Sequence, residues 1–214
     1  MQDAGVEVTV GLLEQEVRWQ NRRFFCQQEK HRPYLILKWA QTADGFVARE
    51  NFDSKWISNE KSRTRVHQWR AEEQAIMVGA NTVTQDNPRL TTREVEGTNP
   101  IRIVVDIKNS LSRSSQVFNS EATTIKLTKT EIDPKKPLAS QISKALYINK
   151  ITSVIIEGGL KTLQAFINED LWDEARIIKG IPFFKEGTKA PFINGKICSE
   201  SKIKQDTLKI VLND

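Results

Sequence analysis

The sequence predicts an α/β domain built around a largely parallel sheet. Short apolar, β-branched runs of strand length alternate with segments whose apolar residues recur at helical spacing. The residues richest in chemistry, Lys38 to Asp44, Gly79 to Asp86, Asp106 and Glu157 to Gly159, each follow such a run. Open α/β sheets bind their ligands at those carboxyl ends of strands.

Taken in order, Gly5 to Val10 alternates like a strand, and Leu13 to Phe25 carries Leu13, Val17, Trp19, Phe24 and Phe25 in a helical pattern. A strand and a helix make no core alone, so residues 1–30 must lean on something else. His31-Arg32-Pro33 marks a break. Tyr34 to Ala40 reads as a buried strand interrupted by Lys38. An ammonium there is costly unless it is paired or reaches a cavity, or unless the strand is an edge with Lys38 in water. Gln41 to Gly45 is a turn by composition.

Ser58 suits the N-cap of a helix from Asn59 to Arg70, with Val66 and Trp69 as its buried stripe. Gln74 to Val78 is a third buried strand, closed by the glycine-bearing turn Gly79-Ala-Asn-Thr82, and Ile101 to Asp106 a fourth. Residues 108–140 are polar surface with a short strand at Ile125 to Leu127, and a helix from about Ser140 to Ile148 follows.

Val154 to Ile156 has the composition of a strand buried on both faces. Glu157, two glycines and an amphipathic segment with Leu160, Leu163, Phe166 and Ile167 come next. Strand, Gly-Gly, helix offers unpaired backbone N–H groups to an anion, and glycine permits close approach. An ordinary turn with a solvated glutamate has the same composition. Trp172 to Ile178 and Leu208 to Leu212 are further strands, the latter able to pair across a dimer, and Gly180 to Gly195 is a long loop.

At 214 residues the chain suits one domain, with or without an appendage, and its 38% hydrophobic and 28% charged residues describe a soluble protein. No apolar run approaches a membrane span, and the N-terminus lacks the features of a signal peptide. Two cysteines, Cys26 and Cys198, make no disulfide framework, so a cytoplasmic protein is expected. Two histidines without a CxxC argue against zinc, and no metal is expected. The net charge of +5 is spread, with no arginine-rich arm, which favours phosphate-bearing metabolites over nucleic acid.

Six blocks in register, RPYLILKWAQTADG, SKWIS, VHQWRAEEQAIMVGANTV, DNPRLTTR, NPIRIVVD and VIIEGGLKTLQAF, span Arg32 to Phe166. In this order they resemble the reductase domain of the bifunctional riboflavin-biosynthesis deaminase/reductase, a relative of dihydrofolate reductase. The resemblance implies a dihydrofolate-reductase-like α/β fold: a central, largely parallel mixed sheet with helices on both faces. It implies that residues 1–30 are a remnant of the end of a preceding deaminase domain and residues 31–214 the reductase. The deaminase's zinc signature, H-x-E with P-C-x-x-C, is absent. The implied activity is NADPH-dependent reduction of 5-amino-6-(5-phosphoribosylamino)uracil to its ribitylamino counterpart, in a homodimer, with a deaminase as a further partner.

Position by position, the resemblance makes Lys38, Asp86 and Glu157 the polar catalytic group, with Lys38 paired to Glu157. Ser54, Arg70, Leu90, Arg93 and Glu157 match substrate positions, and the two arginines suit a phosphate. Ala40, Trp56, Thr82, Asp86 and the turn Gly159, Leu160, Lys161, Thr162, Leu163, Gln164 and Ala165 match cofactor positions. Core packing competes with a ligand role at Trp56 and, more strongly, at Trp69.

Three departures matter. Thr42-Ala-Asp-Gly45 replaces the family's Ser-x-Asp-Gly, and Ile107 stands where a small hydroxyl residue often lies near the adenosine phosphate. Gly180-Ile-Pro182 replaces an Ala-Pro segment, so the match loosens beyond about Ile178. Preference for NADP over NAD therefore has no local support. Two rivals compete: another pyrimidine or pterin reductase of the same group, and a non-catalytic nucleotide-binding module that partners a deaminase.

Overall fold

A computed structural model describes residues 2–51, 53–54 and 56–213. Its strands are β1 (Tyr34–Gln41), β2 (Phe46–Ala48), β3 (Ala75–Gly79), β4 (Ile101–Val105), β5 (Thr124–Leu127), β6 (Ser153–Ile156), β7 (Glu174–Lys179), β8 (Thr188–Lys189), β9 (Lys196–Ile203) and β10 (Asp206–Leu212). Its α-helices are α1 (Glu14–Gln20), α2 (Arg22–Lys30), α3 (Glu60–Glu72), α4 (Ala80–Asp86), α5 (Leu138–Ile148) and α6 (Leu160–Asn168).

One sheet runs β5-β4-β3-β6-β1-β7-β10-β9, and β2 pairs with β8 separately. β5 through β7 in that order are mutually parallel, and the β9–β10 hairpin adds on antiparallel. This is the expected mixed, largely parallel sheet. β6 is buried throughout because it lies between β3 and β1 with helices on both faces.

Alternation along the strands divides the core. Leu35, Leu37, Met77, Ile103, Val154 and Ile156 pack with Ile142 and Leu146 of α5 and with Leu163 and Phe166 of α6. On the other face Tyr34, Ile36 and Ile155 meet Val66 and Trp69 of α3, while Val83 of α4 joins Ile76, Val78 and Val104. The face under α3 also carries charge. Glu73 and Glu174 bracket Arg176, at 2.9 and 2.6 Å, and all three are buried.

Several expectations change. Gly5 to Val10 is not a strand. Val10 is 84% exposed, and an isolated segment with no neighbouring strand cannot close a ladder. The helical pattern from Leu13 to Phe25 is two helices broken at Asn21. The cap of α3 is Asn59, whose side chain accepts from Ser62 N–H at 3.1 Å, rather than Ser58. β10 is paired on both sides and cannot pair across a dimer; the edge strand on that side of the sheet is β9. β9 itself escapes the sequence because, at an exposed edge, its polar run from Cys198 to Lys202 shows no apolar alternation. Trp69 is core, and Trp56 is 67% exposed.

Candidate active site

The site begins with a difference in strand length. Leu37 of β1 and Met77 of β3 both pair with Ile156, the last residue of β6. β1 continues to Gln41 and β3 to Gly79, so the chain leaving β6 sits in a notch between two longer strands. Lys38 is level with Glu157 there, and the Glu157 N–H donates to the Met77 carbonyl at 3.0 Å. β1 is interior, so the edge-strand reading of Lys38 fails.

Lys38 and Glu157 turn to the α3 face and meet Arg70. Glu157 Oε2 accepts from Arg70 Nη2 at 2.8 Å, and Lys38 Nζ stands 3.8 Å from Oε1. Their side chains are 15% (Lys38), 11% (Arg70) and 9% (Glu157) exposed. Burial pushes the Glu157 carboxyl up, but Arg70 and then Lys38 outweigh it and hold it at about 2. Burial lowers Lys38, and Arg70 adds to that; Glu157, beyond hydrogen-bond reach, compensates only in part. Glu157 Oε1 and Arg70 Nε are buried without a hydrogen-bond partner. Such orphaned groups in a strand-end notch have the character of a ligand site.

Next to the pair, Gly158 lies against β3. A Cβ there would come 2.5 Å from Val78 Cα and 2.6 Å from Gly79 N, so only glycine fits. Gly159, at φ 30°, caps α6. Its carbonyl accepts from the Thr162 and Leu163 N–H groups, so the Leu160 and Lys161 N–H groups are the first-turn donors that can meet an anion. Cβ atoms at Gly79 and Gly159 would lie 3.0 Å from Thr162 Oγ1 and 3.4 Å from Thr82 Oγ1. The starts of α4 and α6 therefore meet around Gly79, Thr82, Gly159 and Thr162, a backbone-lined cradle that fits a nucleotide diphosphate. Leu160, Gln164 and Ala165 are half-buried and Lys161 is exposed. Leu163 belongs to the core, so only its backbone can face a ligand.

The remaining positions scatter. Asp86 is exposed at the end of α4, while Ser54 and Trp56 lie on an exposed segment where Arg63 stacks 4.6 Å over the Trp56 ring. Leu90 is buried at φ 56° and anchors the segment after α4. Exposed Arg93 contacts Thr91 Oγ1 at 3.4 Å, and the Thr91 carbonyl accepts from Arg70 at 3.3 Å. Ala40 is half-buried beside Phe46 and Phe184.

Asp44 and Asp106 are structural: Asp44 accepts from the Phe184 and Lys185 N–H groups, and Asp106 from those of Ser110 and Leu111. Sequence reasoning missed His67, which lies three residues before Arg70 on the same side of α3 and accepts from the Arg93 N–H at 3.2 Å. That spacing was the available signal. A groove of about 720 Å3 lies elsewhere, on the opposite face among Trp39, Ile177, Lys209 and Phe192. Lys38, Arg70 and Glu157 do not line it.

Sheet order and strand-end notch define a dihydrofolate-reductase-like α/β fold. Residues 33–184 match the family described as RibD C-terminal domain, and the chain belongs to that family. The Aquifex aeolicus riboflavin biosynthesis protein RibD is 36% identical over 203 residues, covering 87% of this chain and 57% of that protein. The chain thus spans a little over half of that relative. Among solved structures, a Thermotoga maritima diaminohydroxyphosphoribosylaminopyrimidine deaminase/5-amino-6-(5-phosphoribosylamino)uracil reductase superposes with a TM-score of 0.89 at 31% identity, covering 100% of this chain and 66% of that one. The Saccharomyces cerevisiae riboflavin biosynthesis reductase, 18% identical with a TM-score of 0.67 over 93% of this chain and 100% of its own, shares the fold.

Proposed function

We propose that the chain catalyses NADPH-dependent reduction of 5-amino-6-(5-phosphoribosylamino)uracil to 5-amino-6-(5-phosphoribitylamino)uracil. The observation that carries this reading is the buried Lys38–Glu157–Arg70 cluster beside the Gly158-Gly159 cradle, at one strand end. Gly159 and the first turn of α6, with Thr82, hold the cofactor diphosphate; Ala40, Trp56 and Asp86 complete that side. When bound, the nicotinamide supplies the hydride.

The chain's own residues do the rest. Arg70 fixes the Glu157 carboxylate as an anion, so Oε1 is an acceptor for a sugar hydroxyl. Lys38, incompletely paired, donates a hydrogen bond to the oxygen that gains negative charge as the ribose ring opens. Asp86 serves both ligands from the end of α4, and Ser54, Leu90 and Arg93 contact the substrate. Arg93, with the open side of Arg70, takes the 5-phosphate. The protein acts in the cytoplasm as a homodimer, in company with a deaminase unit to which residues 1–30 belong.

Mixing the protein with NADPH and the phosphoribosylaminouracil tests this reading. Loss of NADPH absorbance with formation of the ribityl product is expected, faster than with NADH. A folded, NADPH-binding protein that turns over nothing leaves the nucleotide-binding module, and turnover of a pterin alone points to the other reductases of this fold.

A further inference from the structure

We propose that His67 is a positioning residue that sets the separation of Arg70 and Arg93; the inference rests on the assignment of those two groups to the substrate phosphate. The segment from Arg89 to Glu94 has no regular secondary structure and is held by discrete contacts. The Arg89 carbonyl accepts from Arg102 at 3.3 Å, Leu90 is buried among Val83 and Val104, and the Thr91 carbonyl accepts from Arg70. Thr92 is tied outward, its N–H donating to Asn99 Oδ1 at 2.8 Å.

The contact that ties the backbone of Arg93 to α3 is the one to His67. Its Nδ1 accepts the Arg93 N–H at 3.2 Å, and its ring is 5% exposed. Nε2 lies 3.8 Å from Glu94 Oε1, while Glu94 Oε2 accepts from Thr64 at 3.1 Å. The imidazole therefore ties the Arg93 backbone to the helix that carries Arg70, while Thr64 of the same helix holds the Glu94 carboxylate that faces Nε2.

The arrangement needs a neutral ring with its proton on Nε2, since Nδ1 must accept. Burial, then Arg70 and Arg93, lower the His67 pKa, with Glu94 and Glu157 opposing. Arg70 on α3, Arg93 and Glu94 on the segment, and Glu157 after β6 are the charged groups around it. Protonation would turn Nδ1 into a donor facing a donor, and the clamp would open on the acid side.

A phosphate bridged by two guanidinium groups depends on their spacing, so releasing one weakens substrate binding more than the chemical step. The test compares wild type, His67→Leu and His67→Asn, whose Oδ1 stands in for Nδ1 as the acceptor. In His67→Leu the KM for the phosphoribosylaminouracil should rise about tenfold or more, with kcat and NADPH affinity within about twofold. His67→Asn should return KM to within about threefold of wild type and lack the acid-side rise in KM expected of wild type.

The amide of Arg93 should exchange faster with solvent in His67→Leu than in the other two. Unchanged KM in His67→Leu, equal impairment of both variants, or equal losses in NADPH affinity would overturn the proposal. If His67→Leu fails to fold, identical KM–pH profiles for wild type and His67→Asn would do so. Wild type that turns nothing over overturns the reductase reading itself. Equal Arg93 exchange in all three proteins overturns the clamp alone.

Discussion

Arg70 Nη2 lies 2.8 Å from Glu157 Oε2, whereas Lys38 Nζ stays 3.8 Å from Oε1. One carboxylate thus faces two cations, and the helix cation holds it more tightly than the strand cation. The two removals are therefore unequal. Deleting Lys38 leaves the Arg70–Glu157 pair intact, while neutralising Glu157 leaves two buried cations together.

Lys38→Met should keep stability within about 1.5 kcal/mol, because a similar volume fills the strand position and no charge is stranded. Turnover should fall by about 10²–10⁴-fold with NADPH affinity nearly intact. Glu157→Gln should cut turnover comparably and cost about 3–5 kcal/mol, since Lys38 and Arg70 lose their counter-ion. Denaturant melts and initial rates on both variants check the asymmetry. Equal destabilisation of the two would mean that Lys38, not Arg70, carries the pairing.

The same pair fixes an acid limb. Glu157 has its folded pKa at about 2, depressed from the model-peptide value of 4.5. The unfolded chain therefore takes up this proton first as pH falls. Stability from Glu157 is fully present above about pH 4.5 and is lost as pH falls towards about 2. Glu73 and Asp173 are depressed in the same direction, so wild type should lose several contributions together. Melting temperature followed from neutral to acid should show a shallower fall in Glu157→Gln than in wild type.

How much of this was legible depends on where each signal comes from. Seven of the eight strands in the main sheet show themselves because burial on both faces, or on one, leaves an apolar run. β9 does not, since an exposed edge imposes no pattern. The pairing of Lys38 with Glu157 followed from the resemblance, and the structure puts them level at the end of β6. The contact of Arg70 with the same carboxylate was not legible, because it depends on how α3 crosses the sheet. The clamp between His67 and Arg93 joins residues 26 apart through a segment without regular structure, where sequence periodicity carries no information.

Glycine requirements separate in the same way. At Gly158 a Cβ would run into the backbone of Val78 and Gly79, which cannot move without shifting β3. At Gly79 the nearest atom is the side-chain hydroxyl of Thr162, at 3.0 Å, which can rotate. Gly158→Ala should cost about 1–3 kcal/mol or more and weaken NADPH binding, while Gly79→Ala should be milder in both. Thermal melts with and without NADPH measure the two effects. Similar penalties would mean that β3 yields more easily than its packing implies.

Residues 1–30 divide at Asn21. α1 has no buried residue, and Val10, Leu12 and Leu13 are exposed. α2 instead supplies cations to the sheet. Arg23 pairs with Glu73, whose side chain is fully buried, and Lys30 approaches Asp173 at 3.1 Å alongside Arg32. Glu73 also ends α3, the helix that carries His67 and Arg70. Removing residues 1–20 should therefore change the melting temperature little, apart from the loss of the exposed Arg18–Glu29 pair, which contributes little. Removing residues 1–30 should cost about 3 kcal/mol or more, because Glu73 loses Arg23 and retains the Arg176 ion pair, while Asp173 loses Lys30 and retains the Arg32 ion pair. Arg23→Ala in the full chain should reproduce part of that loss and weaken substrate binding through α3. That outcome would move the boundary with a preceding unit from residue 30 to before α2, and equal stability of the two truncated chains would keep it at residue 30.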